Sequence, residues 1–203
     1  MFQIYGSPLA SPGRVYWTAE EVGIPWERVP LNMREKQHKS PEFLKLNPNG
    51  KVPVVVDGEL VLWESSAITF YLAEKHKPEL LGKGLTERAL VYQWSIWAMT
   101  ELQPPHVDLF IQKIFVPEER RDLGLIERSL KAIPPRLEIL DTHLKGREWI
   151  VGNGFTLADI NVASVVEINK GTENDISQFE AIGAWLKRIN DRPAHKKLMS
   201  LPR

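Results

Sequence analysis

The 203-residue chain contains no cysteine. That absence removes structural disulfides, thiolate metal sites and any mixed-disulfide step carried by the protein itself, so a thiol acting here comes from a ligand. Long hydrophobic runs are also missing: none approaches the roughly 20 apolar residues that span a bilayer, and no membrane segment is expected. Nor is there an excess of one charge. Lysine plus arginine and aspartate plus glutamate number 26 each, with 9 basic and 10 acidic residues in 1–80 and 17 and 16 in the remainder. With neither part biased, nucleic acid and a membrane surface are not expected partners. The first residues read as a strand, without the basic and apolar regions of a secretory leader, so the expected location is cytoplasmic. What is present is ordinary: 43% hydrophobic residues, enough for one or two packed cores, and no repeat or low-complexity segment.

Against that background the stretch Asn47-Pro48-Asn49-Gly50-Lys51-Val52-Pro53-Val54, followed by Trp63-Glu64-Ser65-Ser66, carries the most information. Pro53 has no N–H for a sheet ladder and biases Val52 toward an extended backbone, leaving the Val52 N–H and C=O to pair with an extended ligand lying like an added strand. Ser65 and Ser66 open the apolar-periodic run Ala67, Ile68, Phe70, Tyr71 and Leu72. Their hydroxyls and the free N–H groups of a first helical turn make a seat for a carboxylate. A peptide acid fits such a pair of features.

The order of elements follows from periodicity. Phe2 to Tyr5 reads as a strand, Arg14 to Val22 as a helix, Trp26 to Leu31 as a strand and Pro41 to Leu46 as a short helix. Pro53 to Val56 and Leu60 to Leu62 form a hairpin around Asp57-Gly58, and Glu64 to His76 is the closing helix. Lys77 to Gly84 has the proline and glycine content of a linker. Everything after about residue 85 reads as helix. Ile126, Leu130, Ile133, Leu137, Leu140 and Leu144 mark one face of a long helix in which Pro134-Pro135 is expected to produce a kink. Pro104-Pro105 raises the same question for a helix beginning near Thr86. Leu90, Trp94, Trp97 and Leu102 are expected in its core. Thr156-Leu157-Ala158-Asp159 has capping-box spacing, with Phe155 and Ile160 placed for a hydrophobic staple. Asp191 and Pro193 look like the start of a last short helix.

The Val52-Pro53 and Glu64-Ser65 pairs, the opening Phe2-Gln3-Ile4-Tyr5-Gly6-Ser7-Pro8 and the later Asn153 to Asp159 together resemble the glutathione transferase family, over nearly the whole chain. The resemblance is to its serine-type, theta- or phi-like branches in bacterial form; the absence of cysteine sets aside the cysteine-nucleophile branches. It implies an α/β plus all-α protein: an N-terminal thioredoxin-like βαβαββα domain over 1–77, a linker over 78–85, and an all-helical domain over 86–203 contributing the site for an electrophile. It also implies that a cis-Pro follows Val52, that the Val52 backbone pairs with the cysteinyl part of glutathione, and that Glu64 and Ser65 hold the γ-glutamyl end. Lys39 and Lys51 fall where the family meets the glycyl carboxylate, though each also reads as an ordinary solvated lysine.

Ser11 is the group expected to activate the thiol, with Tyr5 and Ser7 as rivals and activation without any hydroxyl as a further alternative. Ser11 precedes Pro12-Gly13-Arg14-Val15 at the mouth of the first helix, where donors and the positive end of the dipole converge; it either donates to a thiolate or simply caps the helix. Tyr5 stands where other classes of the family carry a catalytic tyrosine. Ser7, with the backbone around Leu9 and Ala10, is the third option. Met99, Gln103, His106 and Phe110 recur at helical spacing and either line an apolar pocket for the second substrate or pack as core. His106 has no partner at ligand spacing, so no metal is expected. The implied activity is attack by bound glutathione, as co-substrate, on a small electrophile, with a homodimer as the usual assembly and detoxification as the usual role. Isomerisation, dehalogenation, peroxide reduction and a non-catalytic protein-binding module remain as alternatives.

Overall fold

In the computed structural model, which describes residues 1–9, 11–172 and 174–202, the chain divides into two units, Met1–Leu81 with Arg192–Arg203, and Gly82–Asp191. The first contains a four-stranded sheet of order β2-β1-β3-β4, built from β1 (Phe2–Tyr5), β2 (Trp26–Val29), β3 (Val54–Asp57) and β4 (Leu60–Trp63). β1 runs parallel to β2 and antiparallel to β3, and β4 runs antiparallel to β3. The helices are α1 (Ser11–Val22), α2 (Pro41–Leu46) and α3 (Ser65–His76), giving the βαβαββα order. β2 ends at Val29, short of the expected Leu31. α1 begins three residues earlier than its apolar face predicts, because a proline in the first helical turn forfeits an N–H that has no partner there anyway.

Alternation along β1 sends Phe2 and Ile4 to one face, where they join Val15, Tyr16 and Ala19 of α1, Val55 of β3 and Ile68 and Leu72 of α3 in a buried core. Tyr5 points to the other face, its ring 6.1 Å from that of Phe43 on α2. Asp57 pairs with Leu60 across the expected hairpin turn, where Gly58 has φ 63. Pro78–Leu81, expected as free linker, is a 3-10 turn that buries Leu80 and Leu81.

The end of the chain departs from expectation. The sequence pattern places residues 192–203 in the helical domain, whereas α9 (Pro193–Ser200) belongs to the first unit. The reason is local chemistry. His195 is buried edge-on against Trp17 of α1 with ring centroids 4.7 Å apart, and Leu198 and Leu201 pack on the core just described.

The second unit is helical: α4 (Gly84–Trp97), α5 (Gln103–Phe110), α6 (Leu123–Leu144), α7 (Leu157–Val166) and α8 (Glu180–Asn190). π-helical turns at Ala98–Leu102 and Ile111–Phe115 flank α5. The first of these widens the helix just before Pro104 and Pro105, which have no N–H to give the preceding turn. α6 continues through Pro134 and Pro135 as one helix of 22 residues. Its buried face holds Ile133, Leu137, Leu140 and Leu144 as expected, but Ser129 replaces Leu130, which is exposed. Leu90 is likewise exposed rather than core. α7 is apolar on nearly all sides and accordingly buried. No helix among the described residues is long and apolar enough to cross a membrane.

Candidate functional site

Sheet register brings the sequence-predicted residues of the first unit to one edge. Tyr5, the last residue of β1, pairs with Val54, the first of β3, and Val54 pairs with Trp63, the last of β4. The chain therefore leaves this edge toward Ser11 after β1, arrives there through Val52 and Pro53 before β3, and leaves again through Glu64 and Ser65 after β4. Gly6 joins two of these paths. It has φ +109, and a Cβ there would lie 3.0 Å from Val52 Cβ and 3.3 Å from Pro12 Cγ, so only glycine lets the first turn of α1 and Val52 close in. The Tyr16 hydroxyl donates to the Gly6 carbonyl at 2.7 Å. Burial pushes that phenol up to about 12, which keeps its proton available for the bond. Val52 is half-buried and lies outside the ladder, and the Val52–Pro53 bond is cis.

The loop before Val52 is fixed by Asn47. Buried, it donates from Nδ2 to the Lys51 carbonyl at 2.8 Å and accepts from the Asn49 N–H at 3.0 Å. Gly50 (φ +57) lies beneath Lys39: a Cβ there would be 2.7 Å from Lys39 Nζ, which donates to the Asn49 carbonyl at 3.1 Å. Lys39 thus rests on the loop that ends in the exposed Lys51 and leads to Val52. His38 Nδ1, beside it, is buried without a partner.

At the start of α3, Ser65 is buried while Glu64 is exposed with φ 72 and ψ 109, a region that side chains other than glycine rarely occupy. The Ser66 Oγ is buried without a hydrogen bond. Free N–H groups of this first turn and the positive end of a 12-residue helix favour a bound anion.

Of the three hydroxyls weighed for thiol activation, Ser11 is half-buried and is the first residue of α1. Ser7 Oγ is engaged locally, accepting from the Leu9 N–H at 3.4 Å. Tyr5 lends its ring to the contact with Phe43. Ala10 lies outside the described residues. One turn beyond Ser11, Arg14 is buried, and desolvation lowers its guanidinium to about 10, still charged at neutral pH.

Two family models match the chain: "Glutathione S-transferase, N-terminal domain" over residues 1–74 and "Glutathione S-transferase, C-terminal domain" over residues 103–193. The chain belongs to the glutathione S-transferase family. Glutathione S-transferase 4 of Zea mays is 32% identical over 204 residues, covering 97% of this chain and 91% of the relative. The crystal structure of glutathione transferase F2 from Populus trichocarpa superimposes with a TM-score of 0.91 at 29% identity, covering 98% of this chain and 97% of that one. A family member from Pseudomonas fluorescens, solved with two glutathione bound, gives 0.90 at 30% identity, covering 99% and 93%.

In this glutathione S-transferase the four helical-unit residues do not share one exposure. Met99, in the π turn, and Gln103 are half-buried. His106 is 1% exposed, with Nδ1 2.7 Å from the Leu102 carbonyl. Phe110 stacks edge-on with Phe115 at 5.6 Å and covers Gly171. Four residues to which the sequence assigns no role shape the edge: Gly6 and Asn47, which stand inside the quoted motifs, and Tyr16 and His38. The Asn-Pro and Asn-Gly steps were a signal for the Asn47 turn. Tyr16 gave none, since a tyrosine on the apolar face of a helix reads as packing.

Proposed function

We propose that the chain binds glutathione extended along this sheet edge and lowers the pKa of its thiol for attack on a small electrophile. The observation that carries this is the convergence of α1, Val52 and α3 on the line Tyr5–Val54–Trp63, with Gly6 joining the first two. The glutathione bound in the Pseudomonas fluorescens relative supports the choice of ligand. In this reading the Val52 N–H and C=O pair with the cysteinyl residue, and Ser65 with the first turn of α3 holds the γ-glutamyl carboxylate. Glu64 meets the γ-glutamyl ammonium, and Lys39 and Lys51 the glycyl carboxylate.

A free thiol with a pKa of about 8.5 is only a few per cent ionised at neutral pH, and each unit of lowering requires about 1.4 kcal/mol of preference for the anion. Ser11 supplies part of it by donating its hydroxyl proton in a hydrogen bond to the thiolate, aided by the N-terminal end of α1. The thiol proton passes to solvent. The sulfur lone pair then forms the S–C bond as the electrophile's leaving group departs or its double bond accepts the electrons. No step calls on a metal. The proposal includes a cytoplasmic, detoxifying homodimer, for which sedimentation at micromolar concentration is the direct check.

The decisive experiment follows the ultraviolet absorbance of bound thiolate against pH alongside turnover. Ser11→Ala is expected to raise the apparent thiol pKa and slow turnover roughly ten- to hundredfold, the value of one charge-assisted bond, with little change in glutathione affinity. Tyr5→Phe and Ser7→Ala are the controls. An effect confined to Tyr5→Phe moves the role to the tyrosine. A wild type with glutathione bound but no thiolate and no turnover across a broad electrophile panel indicates a binding module.

A further inference from the structure

Because β1 and β4 both end at the candidate site, α1 and α3 both start there and both finish at the opposite edge of the sheet. At that far edge Glu21 joins them to each other and to the residue that precedes α9. Lys77, which closes α3, donates from Nζ to the Glu21 carbonyl at 3.0 Å. Arg192, immediately before α9, grips the Glu21 carboxylate with both prongs of its guanidinium: Nε to Oε1 at 2.7 Å and Nη2 to Oε2 at 2.6 Å. Trp17 Nε1 adds a donor to Oε1 at 3.2 Å. The Glu21 side chain is only 5% exposed, so the pair works in a poorly solvated place where its geometry is strongly held. Lys197 pairs with Glu20 at 2.8 Å and holds α9 alongside.

We propose that Arg192 is a positioning residue for the glutathione site, fixing through Glu21 how α1 lies against α3 and so the spacing of Ser11 and Ser65 at their opposite ends. The inference rests on the glutathione reading above. Leverage makes it quantitative. A helix of 12 residues is about 18 Å long, so a tilt of roughly 3° at Glu21 displaces Ser11 by about 1 Å. A shift of that size matters for a hydrogen bond aimed at a sulfur anion. Linkage makes the effect reciprocal: glutathione, by bracing the N-terminal ends, must favour the docked state of the 192–200 segment.

The test compares Arg192→Met, Arg192→Lys and the double variant Glu21→Gln with Arg192→Met. The double variant removes the buried charge that the single change leaves unpaired, restoring fold stability without restoring the two-pronged grip. Calorimetric glutathione affinity, the pH titration of bound thiol and thermal midpoints are measured on each. The expected outcome is that Arg192→Met weakens glutathione binding about tenfold and raises the bound thiol pKa. Arg192→Lys recovers part of both, and the double variant recovers the midpoint but not the affinity. Recovery of affinity and titration together with the midpoint would show the pair to be merely stabilising and would overturn the inference. Hydrogen exchange on the wild-type protein provides an arm that needs no variant to fold: amides of 193–200 are expected to slow in saturating glutathione. Glutathione binding with unchanged exchange there overturns this inference alone, whereas no glutathione binding to the wild type overturns the proposed function and this inference with it.

Discussion

Asp159 in the helical unit and the sheet edge of the other unit dispose of buried polar groups in opposite ways. The Asp159 carboxylate is fully buried and fully answered: Oδ1 accepts from the Ile150 N–H at 3.0 Å and Trp185 Nε1 at 2.9 Å, and Oδ2 from the Thr156 N–H at 2.8 Å and its hydroxyl at 3.1 Å. At the sheet edge the groups stand open. Ser66 Oγ and His38 Nδ1 are buried without partners, Val52 lies beyond its ladder, and Glu64 occupies a backbone region suited to glycine. A group saturated by its own chain has no bond left for a ligand, whereas an open group next to a strained backbone is arranged for something still to arrive. The contrast sets the saturated interior around Asp159 apart from the edge at which the proposed function seats its ligand.

The largest effect should come from breaking the saturated side. Asp159→Ala leaves the Ile150 and Thr156 amides and the Trp185 indole N–H buried and unanswered, at about 1–3 kcal/mol for each group that water cannot reach. A loss of roughly 3–5 kcal/mol in urea unfolding is expected, with the glutathione affinity of the folded protein unchanged. Burial pushes the Asp159 carboxyl up despite its four donors, so part of the cost of ionising it is already borne by the native fold. A loss below about 1 kcal/mol would mean that water reaches these donors, and the contrast would fail.

His106, like Arg136 with its buried Nε, is an exception within the helical unit, and it sharpens the comparison through pH. Its Nδ1 donates to the Leu102 carbonyl, which assigns the neutral tautomer and leaves Nε2 buried without a partner. Burial lowers the imidazole to about 4, and the nearby Arg136 charge acts the same way against the opposing pull of the Leu102 carbonyl. Between that value and the unfolded value of about 6.5 the unfolded chain binds more protons. Stability from this group is therefore complete above about pH 6.5 and falls as pH drops toward 4, by roughly 3 kcal/mol at most. Urea midpoints of wild type and His106→Gln at pH 7, 6, 5 and 4 isolate it, since the other titrating groups cancel in the difference. Parallel curves would show that the imidazole charges without penalty.

Legibility in the sequence follows the same division. Local chemistry was readable: Pro53 before an apolar strand, the Asp57-Gly58 hairpin, the Thr156 to Asp159 capping box and the short helix at Pro41–Leu46 all stand where expected. Nonlocal ties were not. Nothing in the order of residues says that Arg192 meets Glu21 across 171 positions, and the helical pattern alone groups the last helix with the wrong unit. Leu130 and Ser129 exchanged places because an apolar step of four then three fixes a helix face only to within one residue. At the candidate site, the motif singles out Val52, Glu64 and Ser65, but the register that brings them to the Tyr5–Val54–Trp63 line is a property of the folded sheet. The proposed thiol-activating hydroxyl is harder still, for Ser7, whose Oγ accepts from the Leu9 N–H, and Ser11, which opens α1, are told apart by loop geometry and helix position rather than by residue type.

The smallest expected effect is the most discriminating, because it should move stability and affinity in opposite directions. Glu64 at φ 72 carries a backbone cost of about 1–3 kcal/mol that glycine does not pay. Glu64→Gly relieves that strain but adds roughly 0.5–1 kcal/mol of unfolded-state entropy, leaving a net gain between about zero and about 2.5 kcal/mol. The same change removes the carboxylate proposed to meet the γ-glutamyl ammonium, so glutathione affinity should fall. Glu64→Gln, which keeps the β-carbon and hence the strain, should lose affinity without gaining stability. Urea unfolding and calorimetry on the two variants resolve the signs. If Glu64→Gly were destabilising, surrounding contacts rather than a ligand would be what holds this backbone, and the sheet edge would lose its distinction from the saturated interior around Asp159.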